Sequence, residues 1–264
     1  MRYFSINYFS FFIIVFFLFI TSLSFSQSLD ELLNKADQLM EFKYDNQKAL
    51  DTLSQANKLY PDNWKVYSRL SRVYVYLSDS MPHNTSEEKD AQLAEYQKAY
   101  DYANKAVKLA PNKSVNYLRR AIANGKIALF KGVFSVAGVV NAVRADCEKA
   151  IALGNGNNYV QGLSHYVLAR TNAKISEKWA PARAILGLGW ASLDTAFVQY
   201  KKAIELYPNF RMFYLDLAKA YIREDEYNKA KGMLKKTIES PKKDQNDDSL
   251  LVEAKKLLNK IKNK

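Results

Sequence analysis

The sequence predicts an all-α solenoid of stacked helical hairpins, and three observations predict it. Gly and Pro are scarce, at 9 and 6 of 264 residues, too few for a loop-rich or all-β chain. Ala, Leu, Lys, Tyr and Asn recur instead at helical spacing, in an ordinary balance of 48% apolar and 25% charged residues. Third, a unit comes back on itself: Ala203-Ile204-Glu205 followed by a turn returns 34 residues later as Thr237-Ile238-Glu239. Between the two lie a helix with Tyr214, Leu217, Ala218 and Tyr221 on one face, and a second with Ala230, Leu234 and Thr237, ending at Pro241. Such a unit cannot bury its apolar face alone, so several must stack.

The spacing resembles the tetratricopeptide repeat (TPR). Tyr214 stands where the pattern has Trp, Leu217-Ala218 stand for Leu-Gly, Tyr221 for Tyr, and Ala230 with Leu234 form the small–large pair. Aligning the small residue before each turn gives Ala56, Ala106, Ala150, Ala203 and Thr237, separated by 50, 44, 53 and 34 residues. The first three gaps exceed the repeat by 16, 10 and 19 residues. Five pairs therefore follow, at about 29–61, 64–111, 114–155, 158–208 and 211–241, three of them interrupted between their two helices.

In the first pair Ser28 or Asp30 can cap the start, Leu33, Ala36 and Met40 line one helix, and Ala49, Leu53 and Ala56 line the next. Trp64 opens the second, where Tyr67, Leu70 and Tyr74 repeat the spacing of Tyr214, Leu217 and Tyr221. Its insertion, Ser78 to about Glu88, is polar, holds Pro82 and Asn84, and reads as a solvent loop; Ala99, Ala103 and Ala106 complete the pair. The third pair is the least regular, with Arg120 in the Leu slot and Asn124 in the Tyr slot. The fourth has His165, Leu168-Ala169 and Asn172 in its first helix. After the fifth, an amphipathic helix at 248–262 with Leu250, Leu251, Ala254, Leu257 and Leu258 inward covers the open end, as repeat arrays require.

Residues 1–26 differ in kind. Arg2 is their only charge, Phe9 to Ile20 is an apolar run broken by Ser10, and Ser24 and Ser26 are spaced as the small residues before a cleavage point. The segment reads as a secretory signal cut after Ser26, with an uncleaved membrane anchor as the alternative. Export with Cys147 as the sole cysteine leaves no internal disulfide, so helix packing must supply the stability; Cys147 itself falls in a core register.

The insertions of the third and fourth pairs are apolar: Phe130, Val133, Phe134, Val136, Val139 and Val140 in 130–140, then Trp179, Ile185, Leu186, Leu188 and Trp190 in 179–190. Both leave the same edge of the array, either packing on each other or forming a docking patch or membrane contact. This layout, with Leu129-Phe130-Lys131-Gly132, the Tyr166 to Arg170 helix and Gly187 and Gly189 before the fourth pair's second helix, resembles bacterial relatives of the regulator of microtubule dynamics family from Leu29 to Ile261. The chain departs from that pattern at Ala169 and Thr171, where Gly and Trp would stand. A microtubule role does not transfer to an exported bacterial-type protein.

No catalytic, cofactor or metal signature appears. His83 lies in a polar loop and His165 in a packing slot, neither with a partner at metal-ligand spacing; Gly154-Asn155-Gly156-Asn157 follows no strand, so it is a turn and not a phosphate loop. The formal net charge of +12 must instead appear on some surface. On the first helix of each pair, the residue after the Leu-Ala unit and the one four further on face the concave side. In pairs two to five these are Arg72 and Tyr76, Ile122 and Lys126, Arg170 and Lys174, Lys219 and Arg223. The six basic members would form a ladder on helices ~8–10 Å apart, mutually repelling and stabilised by an anionic guest. The expected function is a non-enzymatic interaction scaffold of the bacterial envelope, binding an acidic peptide or free C-terminal carboxylate, and co-chaperone members of the repeat family imply the same use of this face. The alternatives are a polyanion (acidic polysaccharide) binder and a membrane-associated structural protein. No nucleic-acid motif is present.

Overall fold

The computed structural model describes residues 27–131 and 137–264. The expected signal segment and cleavage point, and Val133, Phe134 and Val136 of the first apolar insertion, lie outside the described residues. Twelve α-helices and no strand are found among those described. They are α1 (Leu29–Gln38), α2 (Asn46–Leu59), α3 (Trp64–Asp79), α4 (Ser86–Leu109), α5 (Ser114–Lys131), α6 (Ala137–Leu153), α7 (Asn158–Ser176), α8 (Ala180–Ile185), α9 (Leu193–Leu206), α10 (Arg211–Arg223), α11 (Tyr227–Glu239) and α12 (Asp247–Lys260).

Local chemistry starts and stops these helices. Ser28 and Thr85 each form a reciprocal capping box, with Glu31 and Glu88, and Asn63, Asn157 and Ser192 accept from the first-turn N–H groups of α3, α7 and α9. Asp62, Asn209 and Asp225 occupy the turns in the left-handed region that Asp and Asn tolerate best. A single π-helical turn, Leu39–Lys43, joins α1 to α2 and ends at Tyr44, also left-handed.

The pairs are α1/α2, α3/α4, α5/α6, α7/α9 and α10/α11. The first helices α3, α5, α7 and α10 also touch in sequence, forming an inner layer, and α12 packs on both α10 and α11. Ala49, Ala56, Ala99, Ala103, Ala106, Ala150, Ala203 and Ala230 are fully buried, which lets neighbouring backbones approach closely. Leu32, Leu53, Leu70, Tyr200, Phe213 and Leu234 fill the spaces between pairs. Cys147 is buried as its register implied, and burial pushes its thiol well above the ordinary value, which makes it unreactive.

One expectation is corrected. The polar insertion of the second pair is not a loop as far as Glu88: the Thr85–Glu88 capping box starts α4 at Ser86, and the extra residues become helical turns of a 24-residue helix. The segment between α11 and α12 crosses back to the first pairs, where Asn46 donates to Gln245 and Gln245 donates to the Tyr76 carbonyl at 3.2 Å. The described parts of the two apolar insertions meet in a small core of Ala128, Val140, Ile175, Leu188 and Ala191, with Trp190 donating its indole N–H to Asn141 at 2.8 Å. Trp179 and Ile185 stay exposed on its rim. No helix among the described residues is long and apolar enough to cross a membrane.

Candidate ligand-binding cavity

The inner layer and the returning segment line a half-open cavity of about 750 Å³. Its wall combines apolar side chains (Val75, Ile122, Leu163, Ile175 and Met212 among them) with the phenols of Tyr76, Tyr96, Tyr159 and Tyr166. Burial pushes the Tyr76, Tyr96 and Tyr166 hydroxyls above their ordinary values, so they remain neutral donors. Tyr96 donates to Asp79 at 2.6 Å and Tyr166 to Asp216 at 2.7 Å.

Arg72, Lys126, Arg170, Lys174 and Lys219 all line this cavity, together with Tyr76 and Ile122. The expected repulsive ladder is corrected, because these five cations each pair with a carboxylate of the chain itself. Arg72 donates to Glu41 at 2.6 Å and also to the Tyr76 hydroxyl. Lys126 bridges both oxygens of Asp79 at 2.6 Å. Asp216 takes Arg170 at 3.6 Å and Lys219 at 3.4 Å, and Lys219 also reaches Glu253 of α12 at 2.9 Å. Lys174 pairs with Glu177 one turn on, at 3.2 Å. Arg223 is absent from the wall: its guanidinium turns to the C-terminus of α7 and donates to the Ala173 and Ser176 carbonyls and the Ser176 hydroxyl. There it satisfies carbonyls that the helix end leaves open.

Spacing alone missed four contributors. Arg119 and Asp216 lie three residues before Ile122 and Lys219, on the same helix face, so a two-position rule was too narrow for a face that i and i+3 residues share. Asp244 and Asn246 come from the returning segment, which no repeat register places there. Arg119 is 8% exposed, yet it makes no hydrogen bond or ion pair among the described residues. Burial, and then the charge of Arg72, hold its guanidinium below the ordinary value. No group of residues suited to a metal ion occurs among the described residues. His165 is a half-buried packing residue whose Nδ1 meets the Gln199 side-chain oxygen.

The family model of regulator of microtubule dynamics proteins 1-3 matches residues 32–262, the whole helical array from α1 to the end of α12. The chain belongs to this family. Among solved structures, this family member is similar in fold to TTC0263, a thermophilic TPR protein of Thermus thermophilus. The TM-score is 0.58 and the identity 17%, over 86% of this chain and 98% of that one. It is similar also to PilW, a type IV pilus biogenesis factor, with a TM-score of 0.51 and 16% identity over 89% of this chain and 94% of that one. No curated protein matches the chain in sequence. The family and the two neighbours agree on a TPR-like helical solenoid.

Proposed function

We propose that this family member is a non-enzymatic interaction scaffold that takes a short end of a partner polypeptide, anionic in character, into its inner cavity. The observation that carries this reading is the wall itself. Basic side chains from α3, α5, α7 and α10 converge with apolar and phenolic surface on one half-open space, within the ~300–1,000 Å³ of ordinary ligand sites. A space of that size suits a few residues of a chain and not a folded domain. Because Arg72, Lys126, Arg170, Lys174 and Lys219 already have internal partners, the guest competes for their remaining donors and gains its affinity from apolar contact as well as charge. Arg170 and Lys219, which share Asp216, are the exchangeable pair: an incoming carboxylate can take either one while Asp216 keeps the other. The N-terminal segment supports an exported location, in the periplasm or tethered at the membrane, and the partner would then be an envelope protein.

The test is capture of partners from the envelope fraction, identification by mass, and measurement of each purified partner against the wild type and the Arg170→Gln/Lys219→Gln double variant. A tenfold or larger loss of affinity in the double variant is expected. Equal affinity would remove the cavity from the function.

A further inference from the structure

One buried cation of the inner layer has no partner among the described residues. Arg119 projects from the middle of α5, is more than nine-tenths buried, lines the cavity, and makes neither hydrogen bond nor ion pair there. The helices on either side bring it donors. From α3, the Arg72 guanidinium reaches toward α7, 5.9 Å from the centre of the Tyr159 ring, and α5 packs between those two helices, so Arg119 sits at the crossing. Tyr159 also lines the cavity, and its hydroxyl makes no hydrogen bond among the described residues. As first helices of successive hairpins, α3 and α5 run parallel, with Val75 and Ala123 in one small buried core. Four residues earlier on each stand Ser71 and Arg119, which are therefore level with one another. The Ser71 hydroxyl is fully buried and has no partner among the described residues.

A guanidinium held in this way is costly unless an anion completes it. Charge decides which kind. Glu41 already pairs with Arg72 at 2.6 Å, so one positive charge is left over at the crossing. A dianion would exceed it beside Asp79, Asp216 and Asp244, which line the same cavity, whereas a single negative charge balances it. N–H and O–H donors arriving from three helices also suit a spherical acceptor, which has no preferred direction of approach. We infer that Arg119 holds a monovalent inorganic anion, chloride in ordinary salt, with the Ser71 and Tyr159 hydroxyls as further donors. The ion ties three successive inner helices together at one point, and its binding adds to the stability of the array by mass action. The guest proposed above exchanges at Arg170 and Lys219 instead, so either idea can fail without the other.

The experiment follows thermal unfolding of the full-length protein while chloride replaces gluconate, a bulky anion, at constant ionic strength. Raising chloride from zero to ~0.3 M should lift the wild-type Tm by about 4 °C or more, saturably. The Tm of Arg119→Met should ignore chloride and, in chloride-free medium, equal or exceed that of the wild type; Arg119→Lys should keep part of the response. The chloride NMR line should broaden more with the wild type than with Arg119→Met. A wild-type Tm indifferent to chloride overturns the site, and so does an equal response in Arg119→Met, which would place the ion elsewhere. A lower chloride-free Tm in Arg119→Met would make this a structural arginine and overturn it as well. A larger rise with phosphate than with chloride would assign the crossing to a dianion, against the charge argument. Should Arg119→Met not fold, Ser71→Ala decides: its chloride affinity should fall about threefold or more, and an unchanged affinity overturns the site.

Discussion

Arg211 and Arg119 open a comparison between two regions of one inner layer. Both guanidiniums are buried, at 5% and 8% exposure, and both project from the first helix of a repeat. Arg211, at the start of α10, donates to the Thr237, Asp247 and Ser240 carbonyls and lies 3.9 Å from the Asp247 carboxylate. It staples the end of α11 to the start of α12 and so fixes the segment that closes the cavity. Arg119 has the same burial and none of those partners. Where every donor is matched inside the chain, an arginine is architecture; where none is, as at Arg119, the guanidinium is left facing the cavity. Burial by itself does not distinguish the two roles, and the inventory of partners does.

The comparison can be broken at several points. Arg211→Met should cost about 3–5 kcal/mol in urea denaturation, because it strips three carbonyls of their donor and takes the nearby cation away from the buried Asp247 carboxylate. A loss as small as that of Arg119→Met would erase the distinction between the two sites. Asp247→Ala should cost about 1–3 kcal/mol, since its carboxylate accepts from the Lys243 and Asp244 N–H groups at 2.7 and 3.1 Å. Its effect should be non-additive with that of Arg211→Met when the two are combined. Gln245→Ala removes the tie to Asn46 and Tyr76 and should cost less than about 1 kcal/mol, while hydrogen exchange of residues 241–246 accelerates markedly.

The smallest effect concerns pH. Burial raises the Asp244 carboxyl above its ordinary value, so the folded chain holds this proton more tightly than the unfolded one. That group therefore makes the protein more stable as the pH falls from neutrality through its raised value toward the ordinary carboxylate value of 3.8. Asp244→Asn should remove this contribution, seen as a flatter dependence of unfolding free energy on pH in that window.

Much of the architecture was legible in the chain. The small residues before each turn, Ala56, Ala106, Ala150, Ala203 and Thr237, are all fully buried where hairpins meet, because only a small side chain lets two helices approach there. Spacing also brought Arg72, Lys126, Arg170, Lys174 and Lys219 onto one face. It went wrong at Arg223, near the C-terminus of α10, where the open carbonyls of α7 outcompete solvent for the guanidinium. It also left out Arg119, which lies one turn before Ile122 on the same face, whereas Arg120 beside it points elsewhere. That residue, in the Leu slot, is fully engaged with Asp146 at 2.7–2.8 Å and with Asn104.

Helical period and the volume of one residue in each repeat are local properties, carried by neighbours three, four and thirty-four positions apart. From them the sequence by itself determined the helices, their pairing, the cap and the basic character of the inner face. Whether those cations are free or matched depended on carboxylates such as Glu41, Asp79 and Glu253, which are brought to them from other helices. Closure of the trough depended on a contact between Asn46 and Gln245, 199 residues apart. Only the tertiary structure decided these matters, because charge pairing and enclosure are set by distance in space, and stacking the pairs makes neighbours of residues that no period along the chain relates.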